Sequence, residues 1–506
     1  HVYFLTSEEL QGRKAGTYGC DSAADYIADY FESVGLIPAN PNDGGYFQKF
    51  EITMSVEHGD LNSLLLDFPD GDLEVKLSAD FAPYVFSSNG FVEGDVVFAG
   101  YGIRSDEFSR DDYEGIDVDG KIVLCYSGQP DAMNGSQSTI FGSPRYKALT
   151  AMNRGASAIL IASFTNGIPG NEKHLVVQPD KKNSPSLAEL GIPAVYVSNE
   201  IAEILLASVG ITEPDKELGS MLLEGVRADF TVELKRENIV SSNVAGYIEG
   251  DSPEWVIIGA HYDHLGVESV FDDGSMLFYP GADDNASGTA GVLELARLFS
   301  ESPDMPGRNI MFICFTAEEI GQIGSAYYVE NPLVPLDKTS AMVNMDMIGR
   351  VVEVDGEPAC TIQGENSASE WIEIIPERTP DNALRLLTQP NPIGGSDYIQ
   401  FLNAGIPSIN FFSSAHDDYH KPTDTPDKIN FAGMVSVVEA VYEIGMNIAD
   451  WPEMLTFSRP SRGMGHPVGA GGPSYSVFLG TIPDFAHTEG GFFISGVVEG
   501  SPADIA

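Results

Sequence analysis

Apolar and polar positions follow two textures along this chain. In residues 21–34, Ala24, Ile27, Ala28 and Phe31 recur at helical spacing, and a short strand follows at 46–52. Between about 75 and 235, short apolar runs at 92–98, 120–126, 156–162 and 192–197 are separated by Gly, Asp, Asn and Pro turns. That pattern predicts a separate β-rich unit. From 238 onward strand and helix alternate. The run 255–259 is apolar without interruption, as in a parallel strand covered on both faces. A helix is predicted at 286–299, where Val292, Leu295, Ala296 and Phe299 fall at i, i+3, i+4 and i+7. Strands are predicted at 309–315, 339–344 and 406–411, and helices at 324–330 and 432–446. This rhythm predicts an α/β fold with a mostly parallel central sheet flanked by helices. The Gly- and Pro-rich stretch 459–472 reads as a linker, and 474–506 as the start of a small β unit.

Polar residues of metal-ligand type stand where most of these strands give way to loops. They fall in His261-Tyr262-Asp263-His264, Gly281-Ala282-Asp283-Asp284-Asn285, Ala317-Glu318-Glu319, Asn344-Met345-Asp346-Met347, Gly395-Ser396-Asp397 and Asp418-Tyr419-His420. In an open α/β sheet, ligands bind beyond the carboxyl ends of the strands, so the set reads as one site built from several strands. Two metals held close together need a bridging carboxylate plus further nitrogen and oxygen ligands on each ion. A carboxylate beside metal-bound water completes a hydrolytic site. Consecutive Glu318 and Glu319 project differently, so one can ligate while the other faces the water. Asp263, two residues after His261, can hold that ring's second nitrogen.

Taken singly, each residue is a common turn or cap residue, and an acidic pair such as Glu318-Glu319 also suits a helix N-terminus. Their conjunction at successive strand ends carries the signal. No HExxH, Walker A loop, GxGxxG before a helix or GxSxG elbow is present. His264 reads as a loop residue and His416 stays open. His58, His174, His466 and His487 lie outside the constellation, and Asp117-Val118-Asp119-Gly120 reads as a turn.

Charge and cysteines narrow the classes. With 27 basic and 75 acidic residues the net charge is −48, a field that repels nucleic acid and anionic membranes. No apolar run suffices to span a bilayer, so membrane insertion is not expected. Cys20, Cys125, Cys314 and Cys360 are far apart and do not make a disulfide framework. The chain opens at His1, consistent with a removed export signal or a trimmed chain.

The order HxD, GADDNASG, EE, NMD and YH followed by Lys-Pro-Thr-Asp-Thr resembles the di-zinc metallopeptidase family of bacterial leucine-type aminopeptidases, glutamate carboxypeptidase II and the transferrin receptor. The motifs cover residues 255–430. The opening LTSEELQGRKAGT resembles the start of bacterial members. Residues around Gly100-Tyr101-Gly102-Ile103 resemble an inserted protease-associated domain, and the tail resembles the first half of a PDZ domain. The resemblance implies a zinc-exopeptidase fold divided as 1–75 (catalytic, N-terminal part), 76–235 (protease-associated), 236–458 (catalytic) and 459–506 (linker and PDZ-like fragment).

It also implies two zinc ions. His261 and Asp346 would hold one, Glu319 and His420 the other, and Asp284 would bridge them. Glu318 would be the base, Asp263 would sit behind His261, and Tyr419 would steady the oxyanion. A cis peptide at Asp284–Asn285 is implied too. The expected activity is removal of the N-terminal residue from peptides with a free N-terminus, in a secreted or periplasmic protein. The protease-associated and PDZ-like regions could add protein or peptide contacts. Alternatives are a carboxypeptidase or dipeptidase acting on acidic peptides, a glutaminyl cyclase, or a receptor-like ectodomain. The complete ligand set argues against the last two, and the lack of a basic cluster near the motifs argues against the first.

Overall fold

Strands with uninterrupted apolar residues need cover on both faces, and that requirement shapes the layer that carries the site. The computed structural model describes residues 1–40, 45–105, 108–130, 133, 139–162, 189–212, 218–269, 276–381, 383–392, 395–459, 481–484 and 493–497. The chain divides into two units. One is built from His1–Glu51 and the described residues from Val240 onward, the other from Ile52–Ile239.

The first unit contains a ten-stranded sheet. Its principal strands are β1 (Leu234–Ile248), β2 (Ser252–His261), β3 (Arg308–Phe315), β4 (Thr339–Met345), β5 (Glu357–Gln363) and β6 (Ser408–Phe412), in the spatial order β1-β3-β2-β4-β6-β5. The central four are parallel. β1 and β5 flank them antiparallel. The register pairs His261 with Phe315 and Met345 with Phe411, which brings the carboxyl ends to one edge. The chain steps from β2 to β3 on one side, then crosses to β4 on the other. The end of β2 is therefore a topological switch point, where such sheets open a crevice.

Four helices matter here: α1 (Tyr18–Ser33), α2 (Gly288–Glu301), α3 (Ile323–Glu330) and α4 (Phe431–Asp450). Val256 and Ile258 of β2 join Ile310 and Phe312 of β3 in a core with Phe31 of α1, Leu295 and Phe299 of α2, and Val441 and Ile444 of α4. Ile257, Met311 and Ile313 face the other side, against Tyr328 of α3 and Phe401. Both faces are covered, which explains the absence of alternation in the sequence. By length and composition α4 could cross a membrane, and it is longer than its apolar pattern predicts. More than half of its most apolar stretch is nevertheless buried within the protein. Asn430 caps it by accepting the Gly433 N–H at 3.0 Å. All four cysteines are buried and free, as their spacing predicts.

The second unit has an eight-stranded sheet. At its centre Ile122–Tyr126, Ala158–Ala162 and Ala194–Val197 run parallel, and every residue in them is buried. The helices Pro144–Asn153 and Asn199–Ala207 accompany them, so this unit is more mixed than a purely β-rich reading. It also buries a lysine. Lys147 Nζ donates to the Tyr101 carbonyl and lies 5.6 Å from that ring's centroid. Burial pushes its pKa down to about 8 from the usual 10.5.

A folded-state pKa below the unfolded one means the unfolded chain binds more protons between these values, so stability rises with pH across that window. Lys147→Met is expected to stabilise the protein at pH 7 by roughly 2 kcal/mol, the protonation cost less one hydrogen bond. The advantage should vanish as pH rises from about 8 to 10.5. Unfolding curves of both proteins across that range check this; a gain that does not change with pH would contradict it.

In the tail, Thr481–Asp484 and Phe493–Val497 pair antiparallel. The rest of 460–506, and with it most of the predicted linker and PDZ-like segment, lies outside the described residues, as do His174, His466 and His487.

Candidate metal centre

At the carboxyl edge of the parallel strands, donors collect around Asp284. His261, Asp284 and Asp346 form one group, and His264, Asp284 and Glu319 another. Within each, the candidate ligand atoms lie within 4.8 Å of one another. His261 ends β2, and its Nε2 is 3.4 Å from both Asp284 Oδ1 and Asp346 Oδ1. Asp346 follows β4, held by its N–H on the Phe411 carbonyl at 3.0 Å. Glu319 follows β3, with Oε1 2.7 Å from His264 Nδ1 and Oε2 3.0 Å from His420 Nε2. His420 Nε2 also lies 2.9 Å from Asp284 Oδ2. Asp284 is thus the one residue shared by the two sides.

The electrostatics are those of an acidic, largely buried cluster. Burial would push His261 down, but Asp346 and Asp263 outweigh it and raise the imidazole well above its usual range. His420 is held at about 9, as Glu319 and Asp284 overcome burial in the same way. Burial would raise Glu319, yet His420 and His264 hold it well below the usual carboxylate range. Glu318 goes the other way, because burial raises it strongly and Asp346, Asp397 and Glu319 add to that. Burial pushes Asp397 up to about 7. Asp346 Oδ1 is buried without a hydrogen-bond partner. Buried carboxylates at this density call for cations, and imidazole nitrogens with carboxylate oxygens are the donor set of zinc. The residues present fit such an ion.

Behind the donors, a second tier fixes the backbone. The Asp424 carboxylate accepts the N–H groups of Asp283 and Asp284, at 2.8 and 3.1 Å. Arg350 reaches Asp424 at 3.1 Å and Asp418 at 3.2 Å, and Lys428 reaches Asp418 at 2.6 Å. Asp283 turns away from the donors to accept from the Gly349 N–H at 2.6 Å and to meet His416 Nε2 at 3.1 Å. The Asp284–Asn285 peptide is cis.

The structure brings His261, Asp284, Glu319, Asp346 and His420 together. Asp263 Oδ1 accepts the Glu318 N–H at 3.1 Å. Its carboxylate is 3.7 Å from His261 Nδ1, and the ring nitrogen is nearer the Asp263 carbonyl, at 3.2 Å. Asp263 therefore anchors the backbone of Glu318 as much as it orients His261. Tyr419 is 47% exposed, and its ring stacks on His420 with centroids 3.8 Å apart. His264, read from the sequence as a loop residue, does lie in a loop, but that loop is buried in the site. Its place one residue after Asp263 was the available signal. Asp424 lies in the Lys-Pro-Thr-Asp-Thr stretch, but nothing local marked its role, since the N–H groups it holds are 140 and 141 residues away.

Residues 243–444 match the profile of peptidase family M28, and residues 92–205 that of the PA domain. The chain is 30% identical over 317 residues to aminopeptidase YwaD of Bacillus subtilis, an alignment covering 59% of each chain. It is 24% identical over 464 residues to a probable glutamate carboxypeptidase, AMP1, of Arabidopsis thaliana, covering 82% of this chain and 61% of that one. A solved structure of BSAP, a zinc aminopeptidase from Bacillus subtilis, aligns at 22% identity over 91% of this chain and 98% of that one, with a TM-score of 0.44. The chain thus spans about three fifths of the length of these two sequence relatives. The segment 243–444, which holds the sheet's donor-bearing strands, thus matches peptidase family M28, and a PA-domain match at 92–205 precedes it in the chain.

Proposed function

We propose that this protein is a zinc-dependent aminopeptidase that hydrolyses the N-terminal residue of peptides. One observation carries the reading: two imidazole–carboxylate groups share Asp284, while Arg350 and Lys428, two of the three cations close to the motifs in sequence, are bonded to carboxylates and the third, Lys421, is exposed. With the donors' charge taken up by the metals, acidic groups beside them such as Glu318 would suit a free α-amine. A carboxypeptidase acting on acidic substrates needs a cation free to bind the substrate carboxylate, and Arg350 is committed to Asp418 and Asp424.

In this reading His261 and Asp346 would hold one zinc, Glu319 and His420 would hold the other, and Asp284 would serve both. Bound zinc supplies Lewis acidity toward the scissile carbonyl and lowers the pKa of water. Glu318 would accept a proton from the attacking water and pass it to the leaving amine. Its burial, which raises its proton affinity, suits a group that must hold a proton between those steps. Asp263 keeps Glu318 in place through the backbone hydrogen bond. Tyr419, resting on the His420 ring, is the group assigned to the oxyanion. The reading includes export from the cytoplasm, and partner contacts through the PA domain.

Metal content and substrate choice test it together. The expected result is two zinc ions per chain, with cleavage of free-amine aminoacyl anilides and none of their N-acylated forms. Equal turnover of the blocked substrates would sink the aminopeptidase reading.

A further inference from the structure

The opening stretch around Gln11-Gly12-Arg13 has no part in the chemistry above, yet it holds the most enclosed cation of the first unit. Arg13 has no solvent exposure. Its guanidinium donates to backbone carbonyls throughout: Nε to Tyr262 at 2.8 Å, Nη1 to Pro280 at 2.9 Å and to Leu5, and Nη2 to Gly281 at 3.0 Å. The Arg13 carbonyl in turn accepts the His264 N–H at 3.2 Å. Tyr262 lies between His261 and Asp263, and Gly281 opens the turn that presents Asp284. The arginine thus ties the loop after β2 to the Asp284 turn, which are separate in sequence.

The local backbone is bent to bring it there. Gln11, Gly12 and Arg13 all have positive φ, at 47°, 68° and 53°. A Cβ on Gly12 would meet the carbonyl oxygens of Tyr279 and Gly266 at 2.4 and 2.5 Å. Non-glycine residues are disfavoured in this region, so the bonds of the guanidinium offset a local strain. Burial lowers the Arg13 pKa only to about 10, so the charge persists at neutral pH near Asp263, Asp284 and Asp424.

We infer that Arg13 is a positioning residue for the metal centre, setting the spacing between the His261–His264 loop and the Asp284 turn through its fork of carbonyl bonds. This rests on the metal-site reading above. The guanidinium makes four carbonyl bonds from three nitrogens held in a rigid plane, whereas an ammonium keeps the charge but has three donors on a single nitrogen. Arg13→Lys therefore separates geometry from charge.

The control is Arg308→Lys. Arg308 is a similarly buried arginine that bonds Glu254 and the carbonyls of Ile448, Ala449 and Trp451, at the amino end of β3 and away from the donors. With zinc affinity measured by chelator competition on metal-stripped protein, Arg13→Lys should bind about 10- to 100-fold more weakly than wild type, the range seen when groups behind ligands are removed. It should also change the visible spectrum of the cobalt-substituted protein. Arg308→Lys should lower thermal stability and leave both readouts at the wild-type value. Wild-type zinc affinity and cobalt spectrum in Arg13→Lys would overturn the inference. Should that variant fail to fold, hydrogen exchange on the wild-type protein decides. Adding zinc should slow exchange in 10–17 together with 261–264 and 280–285, and an unresponsive 10–17 segment would overturn the inference. A wild-type protein that takes up no zinc sinks the metal reading and this one with it, whereas zinc-binding wild type with an unaffected variant sinks this one alone.

Discussion

Glu318→Gln is expected to lower kcat by about 10²- to 10⁴-fold, the usual contribution of a positioned proton-transfer group, while the protein keeps its zinc. Glu318 belongs to neither donor group around Asp284, so its loss does not remove a ligand. Its backbone N–H is fixed on Asp263, so the amide of glutamine should occupy the same place. Glutamine matches the volume and polarity of the side chain but cannot take up a proton. Burial and the surrounding carboxylates raise its proton affinity, which suits holding an accepted proton until the leaving amine takes it. Steady-state rates on a free-amine anilide, with zinc determined by mass spectrometry on the same samples, check the split between chemistry and binding. Activity surviving in a fully zinc-loaded variant would move the base to another group.

Asp284→Asn is expected to empty both zinc positions together. Asp284 is the single residue shared by the two donor groups, and Asn keeps its shape without its charge. Losing a group that only orients a ligand typically weakens metal binding about 10- to 100-fold. Losing a ligand shared by two ions should exceed that at each position. His420→Ala provides the contrast. Its ring reaches Asp284 and Glu319, so it should weaken one position and spare the one formed by His261 and Asp346. Zinc stoichiometry during titration into stripped protein reads both outcomes. An Asp284→Asn protein that retained one tight zinc would show that Asp284 does not bridge.

Much of the catalytic layer was legible because burial on both faces leaves a simple trace. Val256, Ile257 and Ile258 are all apolar, since neighbours alternate between a core with α2 and α4 and a core with α3. Parallel pairing then brings His261, Asp346 and the residues after Phe315 to one edge, so their order along the chain sufficed to group them. His264, Asp424 and Arg13 stand within the motifs, but their roles were not legible. Each acts through bonds to residues distant in sequence, which no periodicity records: Asp424 to Asp283 and Asp284, Arg13 to Pro280 and Gly281, His264 to Glu319. The last turn of α4, residues 447–450, was also missed, since no Gly or Pro follows it until Pro452 to mark its end.

From the sequence alone came the α/β class and the candidate donors with their order, since apolar runs dictate strands and strand order dictates which loops meet. The tertiary structure decided which way each donor faces. Gly281, Ala317, Met347 and His420 sit at positive φ beside or within the donor loops, so the chain turns sharply there and adjacent residues diverge. That is why Asp283 points to His416 and Asp284 to the donors, and why Glu319 meets two imidazoles while Glu318 hangs from Asp263. Side-chain direction in such loops is set by backbone torsions and by partners far along the chain, and neither has a local signature.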